Sequence, residues 1–457
     1  MFSSLKKKCL LSVLAIASIS FANAQKTTPL FDGKTLNGWK KVAGTAPYVV
    51  ENNMIVGTMV KGSPNSFLIT EKEYGDFILE LDVKLEGSDS NTGVQTRSHF
   101  DPNGNKGRGL IFGRQMEIDP TGRAWTGGIY DEARRLWLYP LELNPTAKKA
   151  YKQEEFNHFR IECIGNEMKT WVNGIPTAYV IDTLDKSGVI GLQVHSIGDN
   201  STNEGKKVYF KNINIQTNNL KAKPFPKDFY IVNLTANTLS NQEKSNGYKL
   251  LFDGKTNNGW LGAYKNAFPA KGWTIENGLL SVLPSGGGES TNGGDIVSKE
   301  QFGAFDLSFE FKLTEGANSG VKYFVTLSEN NKGSAIGLEY QVLDDEKHPD
   351  AKLGKNGNRT LASVYDLITA DKKLGSKRAI GVWNRGRVVV YPDNRVEHYL
   401  NGVKVLSYVR GSEEFKNLVA GSKYKDWKNF GEAKQGHILL QDHGDKVSFR
   451  SIKIKKL

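Results

Sequence analysis

The sequence has 457 residues, of which 24% are charged and 38% hydrophobic, the balance of a folded globular protein with room for two or three domains. The formal net charge is +12, but the basic residues are scattered among acidic ones and do not interleave with aromatic residues, which argues against nucleic-acid binding. The sequence also lacks a phosphate-binding loop, a dinucleotide-binding glycine motif and an H-E-x-x-H zinc motif, so nothing points to nucleotide-dependent or zinc-protease activity.

The first 24 residues have the pattern of a secretory signal peptide. Three lysines at positions 6–8 precede an apolar stretch, Leu10–Phe21, and the Ala-Asn-Ala that follows fits the small-x-small cleavage rule. We therefore expect residues 1–24 to be removed, a mature chain that starts at Gln25, and a periplasmic or secreted location.

Neither a membrane span nor a disulfide is expected from the sequence. The apolar stretch of the signal peptide is about a dozen residues long, too short to cross a bilayer, and no later segment is suited to it. Removal of the signal peptide takes Cys9 away and leaves Cys163 alone. No cysteine pair is therefore expected, and stability must come from packing.

The strongest signal in the mature chain is an internal duplication. The motif L-F-D-G-K-T-L-N-G-W at Leu30–Trp39 returns as L-F-D-G-K-T-N-N-G-W at Leu251–Trp260. Other landmarks recur in the same order, up to the closing motifs V-Y-F-K-N-I-N-I (208–215) and V-S-F-R-S-I-K-I (447–454). We predict two jelly-roll domains and a polar linker: copy one, residues 25–217; the linker, residues 218–248; and copy two, residues 249–457.

The hydrophobic period within each copy is two rather than 3.6, which predicts β-strands. In F-D-L-S-F-E-F-K-L (Phe305–Leu313), apolar residues alternate with polar ones, so one strand face is apolar. The fold is therefore predicted to be all-β, and the length of each copy favours two tandem jelly-roll β-sandwiches. Asp32 and Asp253, each before Gly-Lys-Thr, are expected to cap tight turns rather than to act in catalysis.

The landmarks resemble those of a known family. The opening L-F-D-G-K-T-x-x-G-W, then E-Y-Q-V-L-D, L-N-G, L-Q-D-H-G and the closing V-x-F-R-x-I-x-I look like the 3-keto-disaccharide hydrolase domain, formerly a domain of unknown function. The resemblance covers nearly all of the mature chain, twice. It implies a concanavalin-like jelly roll that acts on 3-keto glycosides, so that the expected partner is a carbohydrate.

The implied reaction asks little of the protein. A keto group at C3 of a sugar acidifies the C2 proton, so a base can remove that proton while the C1 glycosidic oxygen leaves by β-elimination. Water then adds across the enone. The site needs a base, a group that stabilises the enolate and an acid for the leaving group, roles that His, Asp, Glu or a divalent metal can fill.

Copy two offers the richer set of candidate residues. Glu339 and Gln341 alternate on one strand and so share a face, an acidic loop with a histidine follows, and a late strand brings Gln441 and His443 to one face. The predicted catalytic residues are Glu339, Asp344, His348 and His443. The predicted substrate-binding residues of copy two are Gln341, Arg359, Tyr365 and Gln441. The carboxylates and imidazoles suit Ca²⁺, Mg²⁺ or Zn²⁺, but no cofactor is required. The alternative is an acidic loop that is only solvated.

Copy one departs from this pattern. Gln115 and Glu117 reverse the order of acid and amide, and the loop that follows is rich in Arg, Trp and Tyr, which suits sugar stacking and hydroxyl binding. The predicted substrate-binding residues of copy one are Arg97, Glu117, Trp125, Tyr130 and His195. The alternative is an Arg–Glu network that only holds loops together.

Two other functions stay open. One is a carbohydrate-binding protein without catalysis, which gains if His348, His443 and the acids do not converge in one pocket. The other is a two-carboxylate glycoside hydrolase. Glu117-Ile118-Asp119 begins the Glu-x-Asp-x-x-Glu pattern of jelly-roll laminarinases, but the third acid is missing.

Overall fold

The computed structural model describes residues 27–199, 201–286, 288–327, 335–372 and 376–457. The predicted signal peptide lies outside these residues. None of the helices among them is long and apolar enough to cross a membrane. Cys163, the one cysteine in this part of the chain, is buried and free.

Sixteen strands follow one another in the first half of the described chain. They are β1 (Thr28–Pro29), β2 (Trp39–Val42), β3 (Tyr48–Glu51), β4 (Met54–Thr58), β5 (Ser66–Thr70), β6 (Phe77–Leu85), β7 (Thr92–Asp101), β8 (Leu110–Ile118), β9 (Ile129–Glu132), β10 (Leu136–Tyr139), β11 (Asn157–Ile164), β12 (Glu167–Val172), β13 (Ile175–Ile181), β14 (Val189–Val194), β15 (Lys207–Gln216) and β16 (Val232–Asn233). Nine form one sheet in the order β16-β13-β12-β11-β6-β15-β4-β3, with β1 paired to β15. The other seven form a facing sheet in the order β10-β9-β8-β7-β14-β5-β2.

Thirteen more strands lie in the second half of the described chain. They are β17 (Lys249–Leu250), β18 (Trp260–Gly262), β19 (Trp273–Glu276), β20 (Leu279–Val282), β21 (Ile296–Phe302), β22 (Phe305–Leu313), β23 (Asn318–Thr326), β24 (Ile336–Leu343), β25 (Asn384–Val390), β26 (Arg395–Leu400), β27 (Val403–Val409), β28 (Gly436–Leu440) and β29 (Val447–Lys456). Eight form a sheet in the order β19-β20-β29-β22-β25-β26-β27, with β17 paired to β29. The other five form a sheet in the order β18-β21-β28-β23-β24.

Helical structure is sparse in the described residues. Three short helices occur, α1 (Gly104–Gly107), α2 (Asn241–Ser245) and α3 (Glu413–Ala420), together with 3₁₀ segments at Leu141–Leu143, Pro145–Lys149 and Pro349–Lys352. The fold is all-β, with jelly-roll sandwiches in tandem, which confirms the predicted fold class. Among the residues described, no sheet combines strands from both halves.

The duplicated opening motif has the same structure in both copies. The Oδ1 atom of Asp32 accepts hydrogen bonds from two backbone N–H groups, both at 2.7 Å, and Asp253 does the same at 2.8 and 2.7 Å. The indole N–H groups of Trp39 and Trp260 each donate to a carbonyl nine residues earlier, and both side chains are buried. The two aspartates therefore hold tight turns, as their sequence context predicts.

Each half has its own apolar core between its two sheets. In β22 the alternating Phe305, Leu307 and Phe309 are fully buried there, as the period of two predicts. The opposite face of β22 is also covered, because Arg387 binds the carboxylate of Asp306 through two hydrogen bonds of 2.8 and 2.7 Å. A strand that looks half-exposed in sequence is thus buried on both faces.

The segment at 218–248 is an ordered connection that contacts both halves. Phe225 packs edge-on against Trp171, with ring centroids 4.9 Å apart, and Val232–Asn233 adds a parallel strand to β13. At its other end, Glu243 forms a buried ion pair with Lys453 of β29. These contacts tie the segment to a sheet of each sandwich.

Candidate functional site

The two copies place different side chains at one equivalent position of the sheet. In copy one, Gly93 on β7 pairs with Glu117 on β8, and in copy two Gly320 on β23 pairs with Gln341 on β24. Both glycines belong to the matching N-x-G-V motifs. The acid of copy one and the amide of copy two therefore occupy the same place.

The next position on the same face differs in charge between the copies. Gln95 pairs with Gln115 in copy one, whereas Lys322 pairs with Glu339 in copy two. Copy two thus sets a lysine and an acid where copy one sets two amides. Because of this difference in charge, the two faces can support different chemistry.

A small cavity of about 60 Å³ lies on this face in copy two. It brings together five residues that the sequence singled out: Glu339, Gln341, Tyr365, Gln441 and His443. The same cavity is also lined by Glu289, Asn318, Lys322, Asp350, Lys423 and Tyr424. The late strand β28 ends at Leu440, so Gln441 and His443 reach the cavity from the turn after it.

Lys322 is the most deeply buried charge of the copy-two cavity, with a side chain only 4% exposed. Its Nζ atom lies 3.8 Å from a carboxylate oxygen of Glu289 and 3.9 Å from one of Asp295, and it donates to the carbonyl of Ala335 at 3.1 Å. Burial opposes the charged form, but these carboxylates together with Glu339 outweigh it and raise the pKa of Lys322. The group is an ammonium ion at neutral pH.

Glu339 is buried beside this ammonium. Burial raises the pKa of the Glu339 carboxyl to about 7, and the charge of Lys322 works in the opposite direction. A carboxyl group with a pKa near 7 can hold or release a proton at neutral pH, which is what general acid–base catalysis requires.

His348, His443 and Asp445 lie together, and of these three only His443 lines the copy-two cavity. The two imidazole rings have centroids 5.7 Å apart, and the potential ligand atoms of the three residues all lie within 4.8 Å of one another. The Nδ1 atom of His443 is buried and has no hydrogen-bond partner among the described residues. Two imidazoles and a carboxylate form a donor set that fits a divalent cation such as Zn²⁺. Asp445 is absent from the sequence-based prediction.

The structure does not bring Asp344 to the cavity, which corrects its predicted catalytic role. Its carboxylate accepts hydrogen bonds from the backbone N–H groups of Gly316 at 2.8 Å, Glu346 at 3.0 Å and Lys347 at 3.3 Å. Asp344 is engaged in closing the loop after β24. An aspartate that follows a strand serves such a turn as readily as a catalytic site.

Arg359 stands behind the copy-two cavity instead of lining it. Its guanidinium donates to Asp366 at 2.7 Å and to Asp350 at 2.9 Å, and its Cζ atom lies 5.3 Å from the centroid of the Tyr365 ring. Arg359 therefore contacts two residues that line the cavity, Asp350 and Tyr365, instead of the substrate as predicted.

Copy one contains a larger cavity, of about 420 Å³, on the equivalent sheet. Three residues predicted to bind substrate line it: Glu117, Tyr130 and His195. They are joined there by Asn65, Asn91, Gln115, Arg123, Glu132 and Trp137. Trp125 does not line the cavity. It is buried edge-on against Trp137, one of the lining residues, with ring centroids 4.7 Å apart.

Two carboxyl groups of the copy-one cavity have strongly displaced pKa values. Burial raises the pKa of Glu117 to about 8, although the side-chain amide of Gln115 donates to it at 3.0 Å. Burial also raises the pKa of Glu132 to about 7. His195 is displaced the other way, since burial lowers its pKa. At neutral pH Glu117 and His195 are therefore mostly uncharged, whereas Glu132 is close to half ionised.

Arg97 does not reach the copy-one cavity, which corrects its predicted role in substrate binding. Its side chain is 1% exposed and donates to the carbonyls of Gly75 and Gly165, both at 2.7 Å, and to Asp76 at 2.8 Å. Arg97 fastens the loops that carry Gly75 and Gly165. The neighbouring arginines behave alike: Arg134 and Arg135 both bind Asp131. These three arginines therefore hold loops together, as the alternative prediction for copy one has it, but their partners are aspartates rather than glutamates.

Sequence reasoning missed several lining residues. Two of these residues could have been predicted from the sequence. Lys322 directly follows the N-S-G-V motif on a strand, and Glu132 ends the I-Y-D-E segment. Glu289, Lys423 and Tyr424 come from loops distant in sequence and carry no local signal. Only the fold brings these loops over the sheet.

Each copy is thus a β-sandwich with a polar cavity on one of its sheets. The chain belongs to the family of the 3-keto-alpha-glucoside-1,2-lyase-like domain, whose family model matches residues 26–216 and 247–455. The two matched segments contain the two cavities described above, one in each copy.

Known proteins resemble about half of the chain at a time. A curated relative, the 3-keto-disaccharide hydrolase of Bacteroides thetaiotaomicron, is 39% identical over 234 residues, covering 47% of this chain and 79% of the relative. A crystal structure of a candidate glycosyl hydrolase from Parabacteroides distasonis is 33% identical, with a TM-score of 0.42, covering 49% of this chain and 100% of that one. A second from the same organism is 26% identical, with a TM-score of 0.36, covering 46% and 99%.

Proposed function

We propose that this protein cleaves 3-keto glycosides and that the cavity of copy two is the catalytic site. One observation carries the assignment to copy two: the buried ammonium of Lys322 lines the same small cavity as Glu339 and His443. β-Elimination from a 3-keto sugar builds negative charge on the keto oxygen, and fixed positive charge stabilises that enolate. The membership of the family and the name of the curated relative support the same substrate class.

The residues of the cavity divide the reaction among them. His443 takes the C2 proton, because its Nδ1 atom is buried without a partner among the residues described. Lys322 and Lys423 stabilise the enolate oxygen. Glu339, with a pKa of about 7, gives a proton to the C1 glycosidic oxygen as the C1–O bond breaks. Water then adds across the enone: Glu339 takes one proton of the water as its hydroxyl bonds to C1, and His443 returns its proton to C2, which makes the overall reaction a hydrolysis.

The cavity is too small to enclose a sugar ring. Its 60 Å³ equals about two water molecules. It suits the keto group and the carbons next to it, with the rest of the saccharide held at the mouth. Among the lining residues, the Nζ atom of Lys423 lies 4.2 Å from the centroid of the Tyr365 ring.

A divalent cation is compatible with this scheme. His348, His443 and Asp445 would hold it, and when bound it would polarise the keto oxygen. With His443 engaged as a ligand, Glu339 is the group of the cavity that takes the C2 proton.

The glycosidase pattern that begins at Glu117-Ile118-Asp119 finds little support in copy one. Asp119 is fully buried, forms an ion pair with Arg123 at 2.7 Å and accepts a hydrogen bond from Thr121 at 2.6 Å. It does not line the cavity that holds Glu117. Asp119 therefore does not supply the second carboxyl group that direct glycoside hydrolysis requires beside Glu117; the other acid that lines this cavity is Glu132.

The test is incubation of the purified full chain with a 3-keto disaccharide and with its unoxidised parent, each with and without a chelator, while released sugar is measured. We expect cleavage of the 3-keto disaccharide only. Cleavage of the parent at a similar rate would contradict the elimination, and cleavage of neither would leave a carbohydrate-binding protein. Loss of turnover with chelator, restored by Zn²⁺, would assign the cation.

A further inference from the structure

The copy-one cavity has an aromatic wall. The rings of Tyr130 and Trp137 meet edge-on with centroids 5.2 Å apart, and the Arg123 guanidinium lies 5.6 Å from the centroid of Trp137. A wall of this kind offers a flat apolar surface next to polar atoms. The C–H face of a sugar ring packs on such surfaces.

Gln115, which lines the copy-one cavity, belongs to a hydrogen-bonded chain of amides. Gln95 donates to Gln115 at 2.7 Å, and Gln115 in turn donates to Glu117 at 3.0 Å and to Gln193 at 3.4 Å. The Nε2 atom of Gln193 is buried with no partner among the described residues. Paired amides of this kind donate to and accept from hydroxyl groups without favouring an anion.

We propose that the cavity of copy one is a second carbohydrate site, which binds an uncharged, unoxidised saccharide. The cavity of 420 Å³ falls within the range of about 300–1,000 Å³ that is usual for small-ligand sites. At the strand positions where copy two has Lys322 and Glu339, copy one has Gln95 and Gln115, so it lacks the buried ammonium that an enolate would need. The site uses none of the residues assigned to catalysis, so the proposal goes beyond the proposed function.

Copy two helps to build this second site. Arg378 donates to the carbonyl of Trp137 at 3.2 Å, and Arg385 donates to the carbonyl of Leu138 at 2.9 Å. These bonds fix the strand β10, whose Trp137 side chain forms the cavity wall. The full chain, rather than copy one alone, is therefore the protein to test.

The experiment is isothermal titration calorimetry with four unoxidised disaccharides: maltose, cellobiose, sucrose and trehalose. We expect at least one to bind the full chain with a stoichiometry of one. Tyr130→Ala should weaken that binding by about ten-fold or more, because it removes an aromatic anchor. Arg123→Ala is the second variant, since its side chain is 44% exposed, and a circular dichroism spectrum checks that loss of its ion pair with the buried Asp119 leaves the fold intact.

The matched control is Tyr365→Ala, the aromatic residue that lines the copy-two cavity. It should leave the binding of the unoxidised disaccharide unchanged. Failure of all four disaccharides to bind would overturn the proposal, and so would loss of binding in Tyr365→Ala but not in Tyr130→Ala or Arg123→Ala. Turnover of a 3-keto disaccharide is measured separately, so failure here is distinguishable from failure of the proposed enzyme function.

Discussion

Glu117 allows the electrostatics of the copy-one cavity to be tested through stability. Its carboxyl group is buried, and burial raises its pKa from the ordinary value of 4.5 to about 8. Glu117→Gln keeps the shape and a hydrogen-bonding amide but removes the titrating group. The difference in stability between the wild type and this variant therefore isolates the titration of Glu117.

The sign follows from proton linkage. Below pH 4.5 the folded and unfolded chains both hold the proton, and the stabilising contribution is fully present. As pH rises towards 8 the unfolded chain releases the proton first, so this contribution is lost. A pKa difference of one is worth about 1.4 kcal/mol, so the span from 4.5 to about 8 amounts to about 5 kcal/mol.

Urea unfolding at pH 4.5, 6, 7 and 8, followed by tryptophan fluorescence, measures the effect. Relative to Glu117→Gln, the wild type should lose about 4 kcal/mol of unfolding free energy across this range, because the unfolded carboxyl is already half ionised at pH 4.5 and the folded one is half ionised at pH 8. The exposed Glu71→Gln reports the effect of the replacement on a surface. A stability difference between wild type and Glu117→Gln that changes by less than about 1 kcal/mol would refute the reasoning, because it would mean that Glu117 is solvated in the folded chain.

Three further predictions concern catalysis, turn structure and export. His348→Ala and His443→Ala should each lower turnover of a 3-keto disaccharide by about 10²-fold or more in steady-state kinetics with an unchanged circular dichroism spectrum, and full activity in both would contradict the site. Asp253→Ala should cost about 1 kcal/mol in urea unfolding and leave turnover intact, because its carboxylate holds a turn, and the reverse pattern would contradict that role. Mass spectrometry of the exported protein should show a chain that starts at Gln25, and a retained Met1 would contradict the signal peptide.

Much of the fold was predictable because its signals are local. The alternation in Phe305–Leu313 reports a strand whichever sheet it joins, and the repeated opening motif encodes the same turn twice. The same alternation placed Glu339 and Gln341 on one face, and the structure shows both lining one cavity. Period and turn chemistry are properties of a few adjacent residues.

The rest of the site depended on contacts between distant segments. In sequence, Asp344 and His348 are both polar residues in the loop after a strand. In the structure the Asp344 carboxylate accepts hydrogen bonds from backbone N–H groups and so closes that loop. Arg97 resembled a sugar ligand in sequence, but in the fold its guanidinium donates to the carbonyls of Gly75 and Gly165 and so fastens two loops. Such roles depend on which loops meet, and the sequence does not encode that locally.

The most direct test of the central claim compares the two copies within the intact chain. His443→Ala in copy two and His195→Ala in copy one replace histidines that line the two cavities. The measurement is the initial rate of cleavage of one 3-keto disaccharide by the wild type and by each variant. The account predicts a loss of about 10²-fold or more in His443→Ala, with His195→Ala within a few-fold of wild type. Full activity in His443→Ala with loss in His195→Ala would place the chemistry in copy one and contradict the account.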